Sequence, residues 1–267
     1  MSPPSGQQPW FWRGHRLDLL AERAVWDPQQ RTLLVADLHL GKAEVFQAHG
    51  VALPSDGDAT TLNSLLELAQ RFSPLQVVVL GDLIHGRAGL TVELREKLAA
   101  LPELLGCPLR LIDGNHERGS WLEGLRREAS GPLGPIWLSH APEARSERLN
   151  LCGHLHPVAV VGRGADRLRL PCFAFRRGQQ HGPAEQQGDQ LVLPSFGHLT
   201  GGHPCSESEG LWLVAEGTVV PWRIPGPATT PLRHAAAGTQ PWSPYVRPSH
   251  PDASAADPPC GPRQRRG

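Results

Sequence analysis

Five polar blocks, each directly behind an apolar run of strand length, constrain this chain more than any other feature. Asp37-Leu38-His39 follows residues 32–36, and Gly81-Asp82-Leu83-Ile84-His85 follows residues 76–80. Gly114-Asn115-His116-Glu117 follows residues 109–112, Ser139-His140 follows 135–138, and Gly153-His154-Leu155-His156 follows 149–152. Short apolar runs that end abruptly read as buried strands. Metal-ligand side chains that start where such strands stop gather at the carboxyl edge of a sheet, where α/β folds hold their sites.

The segments between the blocks fill in the architecture. Leu62, Leu65, Leu66 and Ala69 have helical spacing and predict a helix over 58–72, with Ser55 or Asp56 available as its cap. Leu94, Leu98 and Leu101 predict another over 91–105, ended by Gly106. Residues 41–47 read as a short helix or ordered loop closed by His49, whose expected role is structural or solvent-facing, and 120–129 as a short helix. Residues 16–26 alternate weakly and lead through the turn Asp27-Pro28-Gln29-Gln30 into the first strand, as a hairpin would. After Gly134 the apolar runs become short and Gly/Pro-separated, at 135–138, 149–152, 158–161, 168–175, 190–194, 211–215 and 219–222. Strand–helix alternation followed by a β-rich half predicts an α/β fold of the α+β sandwich kind, two packed mixed sheets flanked by helices. Residues 1–13 are expected to be frayed, 14–224 to form the domain, and 225–267, rich in Pro and Ala, to be a disordered tail.

Composition narrows the function classes. Basic and acidic residues balance at 26 each, so no global field marks the chain for nucleic acid or a membrane surface. The five cysteines, Cys107, Cys152, Cys172, Cys205 and Cys260, are odd in number and form no C-x-x-C pair. That argues against a disulfide framework or zinc knuckle and for a reducing compartment, with the first three as small core residues. No signal-peptide core or apolar run of membrane-spanning length is visible, so the expected location is the cytoplasm.

The blocks themselves point to metal chemistry. Asp37 and His39 are two apart, as are His154 and His156, and in extended backbone that spacing would put each pair on one face. Carboxylates combined with imidazoles suit Mn²⁺, Fe²⁺ or Zn²⁺ better than Mg²⁺ or Ca²⁺, which prefer oxygen shells. Asp82 could bridge two ions through its two oxygens, Asn115 offers a neutral oxygen, and His140, His154 and His156 complete a seven-ligand, two-metal set. Each block alone has a plainer reading, Gly-Asp and Gly-Asn as turns and a single His as a structural residue. Five such coincidences in order are far harder to accept than a site.

The five blocks resemble those of the calcineurin-like metallophosphoesterase superfamily, D-x-H, G-D, G-N-H-[DE], H and G-H-x-H. The resemblance implies an αββα sandwich with Asp37, His39, Asp82 and His156 on one ion and Asp82, Asn115, His140 and His154 on the other, Mn²⁺ being the expected metal. Two such ions ~3.5–4 Å apart hold a hydroxide that attacks phosphorus in line. His116 would then be no ligand but the group that stabilises the transition state or protonates the leaving oxygen, with Asp37 as its acid partner. His85 stands three residues after Asp82, as in the nuclease-type branch, where such a His positions the substrate phosphate; a loop residue is the plainer reading.

The flanks, Leu40-Gly41-Lys42-Ala43-Glu44, Pro157, Leu170-Pro171-Cys172-Phe173, Leu193-Pro194-Ser195-Phe196-Gly197 and Thr200-Gly201-Gly202, are similar to those of the ligase-associated DNA-damage-response metallophosphoesterases (PdeM-type). This similarity spans about residues 14–224 and implies a phosphodiesterase, possible substrates DNA or RNA, and a repair ligase, helicase and exonuclease as partners, with no membrane. The loop 195–202 could offer backbone N–H groups to a phosphate or be a plain turn. Arg163, Arg167, Arg169, Arg176 and Arg177 could form a phosphate track or a solvated surface. Two rivals stay open: a phosphomonoesterase or nucleotide-polyphosphate hydrolase, and a non-catalytic docking module for repair proteins.

Overall fold

The structure, a computed structural model, describes residues 6–54, 56–117, 125–178, 188–205 and 210–222. The first sheet is laid down in chain order. Strands β1 (Gln7–Trp12), β2 (His15–Leu20), β3 (Val25–Asp27) and β4 (Thr32–Val35) each run antiparallel to the next. Strands β5 (Gln76–Val79), β6 (Leu109–Ile112) and β7 (Arg126–Glu128) extend it in parallel from β4. The crossovers contain α1 (Lys42–Ala48), α2 (Gly57–Phe72) and α3 (Val92–Leu105). Parallel pairing demands such crossovers, because a strand must return to its starting edge.

The second sheet begins with β8 (Gly131–Leu133), β9 (Ile136–Leu138) and β10 (Leu149–Cys152). It continues with β11 (Pro157–Val161), β12 (Leu168–Arg176), β13 (Gln190–Val192), β14 (His203–Pro204), β15 (Gly210–Ala215) and β16 (Thr218–Trp222). The main path runs β14-β11-β12-β13-β10-β9-β8, with β15 beside β12 and β16 beside β15. β10 lies parallel to both β9 and β13.

Side-chain alternation assigns each strand residue to a layer. Leu33 and Val35, Val77 and Val79, and Leu109 and Leu111 join Leu62, Leu65, Leu68, Leu94, Leu98 and Leu101 in a sheet–helix core. Their neighbours Leu34, Val78, Leu80 and Ile112 point the other way and meet Leu138, Leu149, Leu151, Phe173 and Leu191 of the second sheet. The continuous apolar runs of β4 and β5 thus serve two cores at once, as buried parallel strands must. A third, smaller cluster around Cys152, Cys172, Ala174, Val192, Leu211 and Leu213 lies on the outer face of the second sheet. Cys107, Cys152 and Cys172 are buried free thiols, the small core residues expected.

Among the described residues the packed sheets and their helices match the expected sandwich, and α1, α2 and α3 belong to the crossovers of the first sheet. Two local expectations differ. Gln7–Trp12 is a strand rather than frayed. Its aromatics outweigh its polar composition: Trp10 packs on Phe175 and Trp212 at ring distances of 5.3 and 6.0 Å, and Trp12 Nε1 donates to Asp189 Oδ2 at 2.7 Å. Within the short helix expected over 120–129, Arg126–Glu128 is instead strand β7, because β6 offers an open edge and Arg110 donates to Glu128 Oε2 at 2.7 Å. The tail 225–267, the cap candidate Ser55 and residues 118–124 lie outside the described residues. Asp56 sits at the start of α2 without a side-chain cap bond, whereas Thr91 Oγ1 caps α3 by accepting from Leu94 N at 3.2 Å.

Leu151 is fully buried between the sheets. Leu151→Ala is expected to lower unfolding free energy by about 2–5 kcal/mol, read from denaturant midpoints at constant slope.

Candidate metal centre

The site forms where β4, β5, β6, β9 and β10 end. Asp37 and His39 leave β4, Asp82 leaves β5, Asn115 and His116 leave β6, His140 leaves β9, and His154 and His156 leave β10. The chain does not present them in extended backbone. Asp37 (φ 55°), His39 (50°), Asp82 (50°), His154 (65°) and His156 (42°) are all left-handed. The pairs two residues apart therefore converge because alternate residues are turned backwards, not because a strand lines up one face. Left-handed backbone at a residue with a Cβ costs roughly 1–2 kcal/mol. It persists where surrounding contacts over-determine it, and such outliers cluster at functional sites.

Those contacts are visible. Asp37 N donates to Gly81 O at 3.1 Å, and His39 N to Asp82 O at 2.9 Å. Phe196 N donates to Ala36 O at 2.8 Å and Gly197 N to Asp37 O at 3.2 Å, while Ser195 Oγ donates to Asp37 O at 2.6 Å. The 195–202 loop therefore borders the site, but its first amides hold the Asp37 turn rather than facing a phosphate. The motif glycines make room for ligands: a Cβ at Gly81 (φ 82°) would run into the His140 ring, and one at Gly153 into the Asp37 carboxylate.

Glu117 is a member of the third block whose role the sequence did not reveal. Fully buried, it accepts from Asp82 N at 2.9 Å, Gly114 N at 3.0 Å and Ile84 N at 3.2 Å. One carboxylate thus ties the loops after β5 and β6 together. Burial pushes its pKa up, opposed by these bonds. Its signal was an acid directly behind Asn115-His116 on a loop that must be buried.

The side chains meet in groups whose donor atoms lie within 4.8 Å of one another: Asp37 with His39 and His156, and Asp82 with His140 and His154. His39 Nε2 is 3.4 Å from His156 Nε2, which is 3.4 Å from Asp37 Oδ1. His154 Nδ1 is 3.1 Å from His140 Nε2 and 3.3 Å from Asn115 Nδ2. Asp82 stands between the groups, with Oδ2 3.9 Å from His39 Nε2 and Oδ1 3.5 Å from His140 Nε2. His140 Nδ1 lies 2.9 Å from Leu80 O; donating there leaves Nε2 as the free lone pair, the usual support for a metal-binding imidazole.

These residues fit divalent cations. Asp37 Oδ1 is buried without a hydrogen-bond partner, and ring nitrogens face one another at distances where two lone pairs need something between them. Burial, then His156, His116 and His85, pulls the His39 pKa from 6.5 down to about 2, and burial, then His140, lowers that of His154. Neutral imidazoles at neutral pH are the ligand form.

His116 and His85 line the same centre. His116 Nε2 is 3.7 Å from Asp82 Oδ2, and the His116 backbone N–H donates to Asp82 Oδ1 at 3.1 Å. The acid beside His116 is therefore Asp82; Asp37, the expected partner, faces His140 and His156 instead. His85 stacks on His116 with ring centroids 5.1 Å apart and 26° between planes, and its Nδ1 is 3.4 Å from His39 Nδ1. Burial, then Lys42 and His116, brings the His85 pKa to about 4. His49 is exposed, its Nδ1 2.7 Å from Val45 O, in line with its expected structural role.

A family comparison matches residues 30–175 to the calcineurin-like phosphoesterases, more than half of the chain. Among solved structures, the Pseudomonas putida nuclease MPE is 31% identical, with 81% of this chain and 100% of that chain covered and a TM-score of 0.64. A Vps29 double mutant from Entamoeba histolytica is 13% identical, with 72% of this chain and 97% of that chain covered and a TM-score of 0.32. A search of curated proteins returns no match. The chain belongs to the calcineurin-like phosphoesterase family. It is a metal-dependent phosphoesterase by that membership; the family implies divalent metal ions, and the side-chain groups above are candidates to hold them.

Glu117→Leu leaves three buried N–H groups without an acceptor and is expected to cost roughly 3 kcal/mol or more. Glu117→Gln keeps one carbonyl oxygen and should fall between it and the unmodified protein in denaturant titrations. A second expectation concerns pH. In the unfolded chain His39 and His85 take up protons near 6.5, but in the fold only near about 2 and about 4. The unfolded state therefore binds more protons below pH 6.5, so metal-free protein should lose stability steadily as pH drops from about 7 towards about 4. Unfolding midpoints across that range measure the fall, and His85→Asn should flatten it.

Proposed function

We propose that this chain is a two-metal phosphodiesterase of the cytoplasm that acts on nucleic acid or a nucleotide diester in DNA repair, with Mn²⁺ as the working metal. One observation carries the reading: two carboxylate–histidine groups meet across Asp82, whose separate oxygens face His39 and His140. Asp37, His39, Asp82 and His156 are assigned to one ion, and Asp82, Asn115, His140 and His154 to the other. Two divalent ions there would supply an activated water and absorb the charge that develops on phosphoryl oxygen.

The chain's own residues do the rest. The side chain of His116 is 35% exposed, so it can reach a substrate while the Asp82 carboxylate backs it. A histidine so placed gives a proton to the leaving alkoxide, which a diester requires. His85, stacked against His116 and neutral at neutral pH, is suited to donate a hydrogen bond to a phosphate oxygen and to fix the His116 ring plane. Half-buried Lys42 adds positive field at His85. Similarity to a nuclease supports a nucleic-acid substrate. No described helix is long and apolar enough to cross a membrane. Repair proteins such as a ligase, helicase or exonuclease are the partners this reading expects.

Hydrolysis of bis(4-nitrophenyl) phosphate by metal-stripped protein should appear on adding Mn²⁺ and vanish with chelator. Asp82→Ala and His154→Ala should reduce it to background while circular dichroism stays unchanged; turnover retained in either variant defeats the mechanism. His85→Ala should depress diester hydrolysis more than hydrolysis of 4-nitrophenyl phosphate, and an equal loss on both would remove His85 from diester selection.

A further inference from the structure

The second sheet carries a cavity of about 360 Å³ that is lined by His154 on one side and Arg176 on another. The rest of its wall is mostly apolar, with Leu155, Pro157 at the start of β11, Ala174 of β12, Val192 of β13, Pro204 of β14 and Cys205, and also holds His203 of β14. Ala174 and Val192 are cross-strand partners, both 1% exposed, and form its closed apolar floor. Arg176 follows Ala174 by two residues on β12 and so points to the same face. Its Nε is buried and has no hydrogen-bond partner. Arg169, by contrast, donates to Gly202 O at 2.6 Å, so the arginines of this region do not act as one track.

Each feature has a chemical counterpart. The volume lies in the range that small ligands occupy. A largely apolar lining suits an aromatic ring. Arg176 is part-exposed in the lining, and a guanidinium there suits an anion, above all a phosphate. His154, at the other boundary, belongs to the candidate metal centre. An aromatic ring between two phosphoryl positions describes one nucleotide of a strand, whose sugar carries a phosphate on each side.

We propose that this cavity is the subsite for the nucleotide next to the scissile phosphate, with the base inside the cavity and the following phosphate on Arg176. The proposal rests on the phosphodiesterase reading for the word scissile, but the cavity's preference for a nucleotide can be measured without turnover.

The test uses the full-length chain and calorimetry without added metal. Deoxyadenosine 3′,5′-bisphosphate is compared with inorganic phosphate, on the unmodified protein and on Arg176→Met and Val192→Trp. The bisphosphate should bind more tightly than phosphate. Arg176→Met should weaken it about tenfold or more, as loss of a charged hydrogen bond does. Val192→Trp should remove binding by filling the floor. Equal affinity across the three proteins, or phosphate binding as tightly as the bisphosphate, overturns the proposal. With Mn²⁺ present, kcat/KM for a dinucleotide bearing a terminal phosphate is divided by kcat/KM for bis(4-nitrophenyl) phosphate. Arg176→Met should lower that ratio about tenfold, and an unchanged ratio counts against the subsite. A chain that binds the bisphosphate through Arg176 yet hydrolyses neither diester keeps the nucleotide subsite and loses the phosphodiesterase reading.

Discussion

Two carboxylates buried among histidines set the terms for this structure. Asp37 is fully buried and Asp82 is 3% exposed. An ionised carboxylate in such a place is tolerated only with compensating charge and hydrogen bonds. Asp37 finds some: its Oδ2 accepts from His154 N at 2.9 Å. Its Oδ1 finds none, although His156 and His140 nitrogens stand within 4 Å. Lowered pKa values at His39 and His154 keep those rings from supplying positive charge. A divalent cation satisfies the carboxylates and the facing lone pairs together, which no protonation pattern of the same residues does as well.

The backbone is shaped around that requirement. Five ligand-type residues adopt left-handed conformations, each at a cost, and the sandwich supplies the offset. Strands β4 and β5 are pinned between two apolar cores, so their carboxyl ends cannot relax away from the turns. Glu117 and Ser195 then fix these turns from within, one binding three amides and the other the Asp37 carbonyl. Stability and site geometry are therefore coupled: loosening the loops after β5 and β6 moves Asp82, whose two oxygens lie near His39 and His140.

The two sheets have unequal surroundings. The helices of the first crossovers pack with the first sheet, while the outer face of the second bears a small cluster and a cavity that borders His154. The cavity beside His154 is lined from β11, β12, β13 and β14.

The identity of the residues that meet was legible along the linear chain. Apolar runs of strand length and the ligands behind them placed Asp37, Asp82, Asn115, His140 and His154 at strand ends, because a buried strand must end where polar chemistry begins. Equally legible were α2 and α3, whose leucine spacing is local. The left-handed turns emerged only in the folded chain, since spacing two apart is equally natural in extended backbone. Only the fold exchanged Asp37 for Asp82 beside His116, a matter of two loops meeting across the sheet. It turned Gln7–Trp12 and Arg126–Glu128 into strands because open edges and aromatic packing from distant segments outweighed local composition. And it gave Glu117 its role, because a residue whose three partners are backbone amides leaves no pattern in the side chains around it.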